Sequence, residues 1–449
     1  MSSENSSSEK LNWVEKQFRM KELGTNVKKE TLAGITTFVS MAYILFVNPS
    51  VLGASGMDKG AVFTATALSA ILGCLLMAFL ANYPIAIAPG LGDNAFFTYS
   101  VVLAMGIKWQ TALAGVVVAS IIFTILTFFK IREIVINAIP HNLKLAMAAG
   151  IGMFIAFIGL QGGGLVVASK SSLVQLGSLT VPMTWLTIFG LFVTALLMAR
   201  KVPGSIFIGI VATAILGLVT GLIKAPSQIV SSIPSMKPTF AVGIKHLGDV
   251  NTPQMWAVVL IFLLVAFFDT AGTLIGLAQQ AGLMKNDKMP RIGQALMADS
   301  VSMLAGSVMG TTPTAAYVES SAGIAVGGRT GFTALVVAVL FGFGMFFSPL
   351  LSVVTTQVTA PALIIVGALM AQSLKEIEWD KFEIALPAFL TVIAMPLTYN
   401  ISYGFAFAFL IYPITMIAAG RKKELNPVVI ALFFVFIVML YVLNVLPSK

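Results

Sequence analysis

Long uncharged apolar runs repeat along the chain, and they set its class before any single residue is considered. They fall at roughly 32–52, 61–82, 84–105, 111–131, 143–167, 182–199 and 204–223. After a polar stretch they resume at 254–277, 291–310, 312–328, 331–354, 360–374, 384–399 and 401–419. A helix of about 20 apolar residues crosses about 30 Å of hydrocarbon. The pattern predicts seven spans, a polar connection at 224–253, and seven more spans. One further run, 427–446, is an extra hydrophobic helix.

The polar gaps between the runs carry an alternating charge. Lys28 and Lys29 before the first run, Lys130, Arg132 and Lys144 around the fourth connection, and Arg200 and Lys201 at the sixth all fall on one side if every run spans once. Lys285, Lys288 and Arg291, then Arg329, then Lys375 and Lys381, then Arg421, Lys422 and Lys423 continue the series. The alternate connections hold mainly Lys59, Lys108 and Lys170, apart from the long 224–253 loop. Lys and Arg stay on the cytoplasmic side of a membrane. Fourteen spans in the cytoplasmic (inner) membrane, with the N-terminus cytoplasmic, satisfy that rule. Seven is odd, so the two halves enter the bilayer in opposite senses, an inverted-repeat topology. A short internal match agrees: Ala67-Leu68-Ser69-Ala70 and Ala295-Leu296-Met297-Ala298.

Composition confirms the class: 58% of the 449 residues are hydrophobic and 10% are charged. The net charge of +9 sits in short loops, so it does not point to nucleic acid. The single cysteine, Cys74, lies in an apolar run and forms no intramolecular disulfide framework. His141 and His246 are far apart and make no metal pattern. Residues Met1 to Met20 are Ser-rich, then charged, without the apolar core of a cleaved signal peptide. Neither a dinucleotide fingerprint nor a phosphate-binding loop is present, and two histidines offer no plausible Ser/His/Asp set. The expectation is a transporter rather than an enzyme, without cofactor, driven by an ion gradient.

Four acids lie inside the apolar runs: Asp93, Asp269, Asp299 and Glu319. A carboxylate in hydrocarbon costs several kcal/mol and persists mainly along a polar path or binding site. Asp93 follows Pro89-Gly90-Leu91-Gly92 and precedes Asn94, Phe96 and Phe97. Proline and glycine there predict an extended break in the third span, with a helix restarting near Asp93 and Asn94. Asn94 offers a donor and an acceptor suited to a heteroaromatic ring edge, and Phe96 and Phe97 offer stacking faces. The alternative is a kink in which Asn94 caps the second half-helix. Thr311-Thr312-Pro313-Thr314 predicts a matching extended break in the tenth span, with Glu319 where a half-helix restarts. Its alternative role is a cap in a structural ion pair. Asp269 follows six apolar residues and suits proton exchange, or else a helix–helix hydrogen bond. Asp299 has no break beside it and is expected to be structural.

At these motifs the chain resembles the AzgA-like hypoxanthine/guanine permeases, within the nucleobase–cation symporter and nucleobase–ascorbate transporter group. The resemblance runs from Gly24-Thr25-Asn26 through Met41-Ala42-Tyr43-Ile44, Ala88-Pro89-Gly90 and Asn94-Ala95-Phe96-Phe97. It continues through Phe268-Asp269-Thr270-Ala271-Gly272-Thr273 and Tyr317-Val318-Glu319-Ser320 to Gly327-Gly328-Arg329 and Met395-Pro396-Leu397. It implies a core domain of spans 1–4 and 8–11 (31–131 and 254–354) and a gate domain of spans 5–7 and 12–14 (132–223 and 355–420). The segment 1–30, the loop 224–253 and the C-terminal 421–449 lie outside both. A homodimer is one assembly the resemblance allows. It implies proton-coupled uptake of hypoxanthine or guanine by an elevator-like motion. The purine would be held by Asn94, Asp93, Phe96, Asp269 and Glu319, with Asp269 or Asp93 carrying the proton. Rival expectations are adenine or another nucleobase on the same fold, and an anion transporter of related architecture. The chain departs from many members in two places: Ala266 stands where the eighth span carries a second acid, and Asp93 where an apolar residue is usual.

Overall fold

The computed structural model describes residues 13–131, 138–284 and 289–445. Nine helices among the described residues are long and apolar enough to cross a membrane. Shorter apolar helices and two broken segments fall on other apolar runs of the chain.

The short helix α1 (Trp13–Gln17) precedes α2 (Val27–Met41), which Asn26 caps by accepting the Lys29 amide. Then follow α3 (Ile44–Ala54) and α4 (Lys59–Leu76). Strand β1 (Ile87–Pro89) leads into α5 (Leu91–Ala95), which continues as a π-helical stretch over Phe96–Ala104. Helix α6 (Trp109–Phe128) closes this first group. The second group is α7 (His141–Gly162), α8 (Pro182–Ala199) and α9 (Ser205–Val219).

The apolar run 143–167 predicted a longer helix than α7. Helix α7 stops at Gly162, because Gly164 takes a left-handed backbone (φ +72°) that ends the helical ladder. The chain then forms a hairpin, β2 (Val166–Ser169) against β3 (Leu173–Leu176), which the apolar pattern did not foresee.

The loop 224–253 contains the short α10 (Val242–Lys245). It is tied back to the bundle: the Ala241 amide donates to Val308 O, and Thr64 Oγ1 to Pro234 O. The second half starts with α11 (Pro253–Gln280) and α12 (Ile292–Met309). Strand β4 (Thr314–Ala316), α13 (Ser320–Ala325) and α14 (Gly331–Gly344) follow. Next come α15 (Thr356–Met370), α16 (Phe382–Thr398), α17 (Ile401–Ala418) and the extra helix α18 (Pro427–Asn444).

Packing sorts these elements into two sets. In one, α2 packs on α13 and α14, α4 on α12 and α14, and α6 on α11 and α12. In the other, α7 packs on α15 and α16, α8 on α9 and α15, and α16 on α17. Close approach inside the second set depends on glycine: a Cβ at Gly367 would stand 2.3 Å from Gly152 O. Small residues let membrane helices gain dispersion contact where lipid offers no hydrophobic drive. The extra helix α18 stacks Phe436 on Phe409 of α17 (5.2 Å, 14°).

Candidate functional site

The site begins with two breaks that repair each other. Irregular backbone at membrane depth must find hydrogen bonds within the protein. Pro89 and Pro313 keep their neighbourhoods extended, and the two extended segments pair. β1 and β4 run antiparallel, with Ile87 opposite Ala316, Ala88 opposite Ala315 and Pro89 opposite Thr314. The Gly90 amide donates to Pro313 O (2.9 Å), and the Tyr317 amide to Ala86 O (3.0 Å), extending the ladder at both ends. The Tyr317 hydroxyl donates to Pro89 O (2.6 Å). The third-span and tenth-span breaks thus form one small sheet, and α5 and α13 start from its ends. Sequence placed both breaks; their pairing is a property of the fold.

A cavity of about 830 Å³ lies beside this sheet. Gly90, Leu91 and Gly92 line it from the third span, and Tyr317, Val318 and Glu319 from the tenth. Tyr43, between α2 and α3, and Val265 and Thr273 of α11 line it from the same set of helices. Ile151 of α7 and Met370 of α15 line it from the other set, and the exposed Lys201 lies at its edge between α8 and α9. The cavity therefore occupies the junction of the two sets.

Glu319 occupies the cap position before α13 and, among the described residues, is the acid that lines the cavity. Its Oε1 accepts a hydrogen bond from the Tyr43 hydroxyl at 2.5 Å. Asn94 lies elsewhere. It is fully buried, its Oδ1 accepts from the Thr312 hydroxyl, and its Nδ2 finds no partner among the described residues. The cap of α5 is Gly90, so Asn94 does not cap the restarted half-helix.

Asp93 is fully buried one residue behind the cavity-lining Gly92. Phe96 is fully buried edge-on against Phe262 (4.9 Å, 71°), and Phe97 faces the same ring at 6.5 Å. Asp93, Asn94 and Phe96 all stand outside the cavity lining in this conformation. The side chain of Asp269 lies outside the described residues; Val265 and Thr273, four positions to either side, line the cavity. Asp299 is fully buried in the middle of α12, next to Ser300, whose hydroxyl meets Thr127 Oγ1 at 2.8 Å.

Tyr43 was not among the expected site residues. Its signal was present: a hydroxyl inside the apolar run 32–52, in a motif quoted for the resemblance. Thr273 and Ser321 also line the cavity and were not singled out. Among the described residues no group of three or more His, Cys, Asp or Glu could hold a metal ion.

The sequence profile of the Permease family matches residues 28–407. The chain belongs to this family. The guanine/hypoxanthine permease PbuG of Bacillus subtilis (strain 168) is 54% identical over 94% of this chain and 98% of its own length. The adenine permease AdeQ of Escherichia coli (strain K12) is 42% identical over 93% of this chain and 94% of its own. Among solved structures, the transmembrane domain of the cyanobacterial bicarbonate transporter BicA has a TM-score of 0.61 at 16% identity, covering 88% of this chain and 97% of that one. The family is one of permeases, not enzymes, and the fold is the inverted-repeat transporter architecture expected from the apolar runs. The resemblance drawn from the motifs holds across nearly the whole chain, and the protein is a multi-pass membrane permease.

Proposed function

We propose that this permease takes up 6-oxopurine nucleobases, hypoxanthine and guanine, together with protons across the cytoplasmic membrane. The observation that carries the assignment is Glu319: an acid lining a cavity at the meeting point of the two broken spans. A 6-oxopurine carries an N1–H, which a carboxylate accepts, and guanine adds an exocyclic amine on the same edge. The 54% identity to a guanine/hypoxanthine permease favours the same substrates. The fold is shared with a bicarbonate transporter, but an acid at the restarted helix disfavours an anion.

The two packing sets support a core (31–131 and 254–354) moving against a gate (132–223 and 355–420). The cavity lies between them and reaches Lys201, on the face that carries the basic loops. That face is cytoplasmic by the distribution of Lys and Arg, so the conformation is inward-open. Elsewhere on the junction, Tyr99 of the third span meets Tyr399 edge-on (6.0 Å), and Tyr399 meets Phe154 of α7 (5.5 Å), an aromatic contact that suits the closed side.

Competition against radiolabelled hypoxanthine uptake, in a host lacking its own purine transport, tests the substrate. Guanine and hypoxanthine are expected to compete well. Adenine presents a bare N1 lone pair to the carboxylate, leaving both unpaired at about 1–3 kcal/mol, so it should compete roughly tenfold less well or worse. Uracil, lacking the second ring, should hardly compete. The adenine permease relative favours adenine as the second reading; adenine competing as strongly as hypoxanthine would establish it.

Asp269 is the proposed proton carrier, with Asp93 as the other candidate. Asp269→Asn mimics the protonated acid. It is expected to retain purine binding and exchange while losing uncoupler-sensitive accumulation. A variant that still concentrates purine and collapses with an uncoupler removes Asp269 from coupling.

A further inference from the structure

At the cavity, the Tyr43 hydroxyl donates to the Glu319 carboxylate from a residue 276 positions away in the chain. Tyr43 is 1% exposed, held in the short turn between α2 and α3. The bond is short, 2.5 Å, as expected of a hydroxyl donating to a carboxylate.

We infer that Tyr43 is a positioning residue that fixes the hydrogen-bond polarity of Glu319 and thereby sets which purine edge the cavity accepts. This rests on the assignment of Glu319 to the substrate N1 position. A phenol can donate or accept; toward an ionised Glu319 carboxylate, which has no proton to give, Tyr43 donates. It commits Oε1 to the protein, which leaves Oε2 as the acceptor for a ligand in the cavity. The wild-type site therefore asks the ligand for an N–H.

The consequence is sharpest when the acid becomes an amide. An amide has one acceptor end and one donor end, and in isolation either can face the ligand. In Glu319→Gln we take the Tyr43 hydroxyl to keep its donor role and to hold the carbonyl oxygen. The NH₂ then faces the cavity, where it matches the bare N1 of adenine and opposes the N1–H of hypoxanthine. Glu319→Gln should therefore exchange preference, not merely lose affinity. Removing the hydroxyl frees the amide to turn over. The double variant Tyr43→Phe/Glu319→Gln should accept either purine with little preference.

The experiment measures KM and maximal rate for radiolabelled hypoxanthine and adenine in four full-length proteins, at matched membrane abundance: wild type, Tyr43→Phe, Glu319→Gln and the double variant. For Glu319→Gln the adenine-to-hypoxanthine ratio of rate over KM should rise at least about tenfold, the factor one correctly or wrongly matched hydrogen bond carries. Most of that rise should be undone in the double variant. Tyr43→Phe alone should raise the KM for hypoxanthine while leaving the maximal rate nearly unchanged, because the acid loses its orientation but not its charge. A purely structural role for Tyr43 would lower the rate for both purines alike.

The failures separate. Wild-type hypoxanthine kinetics in Glu319→Gln overturn the placement of Glu319 at the substrate, and this inference with it. Loss of hypoxanthine affinity in Glu319→Gln without a gain for adenine leaves Glu319 in place and overturns the role of Tyr43, and it does so even if Tyr43→Phe fails to reach the membrane. An adenine preference that persists unchanged in the double variant overturns it equally.

Discussion

Replacing Glu30 by alanine is expected to remove most folded protein from the membrane. Glu30 is completely buried at the start of α2, far along the chain from its partners. Its Oε1 accepts the Arg329 amide (2.9 Å). Its Oε2 accepts the Thr330 amide (3.3 Å) and the Thr333 hydroxyl (2.6 Å). These donors lie at the beginning of α14, where the first backbone amides of a helix have no partner within it. The carboxylate is therefore a cap supplied from another span, joining the first span to the eleventh.

Alanine leaves those donors buried and unpaired. Each unsatisfied group costs about 1–3 kcal/mol, so the loss is on the order of 4 kcal/mol, against a total stability of roughly 5–15 kcal/mol for a typical domain. Glu30→Gln keeps one acceptor oxygen and should fall between. Thermal stability of the detergent-extracted protein, followed by size-exclusion chromatography, reads the difference. A wild-type melting temperature for Glu30→Ala would show that the cap contributes nothing net.

Asp93→Leu is expected to cripple transport at normal abundance, by at least about tenfold in rate over KM, since a membrane-buried acid is retained mainly for function. Adding Ala266→Asp should restore part of it. The two positions belong to neighbouring elements: α5 packs on α11, and a Cβ built on Gly92 would stand 3.6 Å from Val265 Cγ1. Asp93 and Ala266 each follow one member of that pair and are both buried. A carboxylate supplied from either element would then serve the same locality.

Ala266→Asp alone adds a second acid to the region where α5 packs on α11. Like charges in one buried site disfavour joint ionisation, so that variant should also lose uptake while Asp93 remains. The cycle of four proteins separates these cases: recovery in the double variant beyond the sum of the single effects measures the coupling. Two losses that simply add would show that the positions are independent.

The membrane class, the places of the spans and both broken segments were legible in the sequence. Each is a local property: apolar runs demand hydrocarbon, and Pro89, Gly90 and Pro313 dictate backbone wherever they stand. The family was legible too, because its motifs are contiguous. Glu319 stood out because an acid is costly among apolar neighbours, and that cost is readable one residue at a time. The end of α7 was not read correctly, since apolar composition at 165–167 is shared by helix and hairpin, and only the left-handed Gly164 decides between them. Tertiary structure alone decided what depends on separate segments meeting. It paired β1 with β4 across more than two hundred residues, turned Phe96 onto Phe262, put Thr312 on Asn94, and brought Tyr43 to Glu319. The polar contacts among these form because most buried donors and acceptors find partners within the fold. Which partner satisfies them is fixed by how the spans pack, and no run of neighbouring residues encodes it.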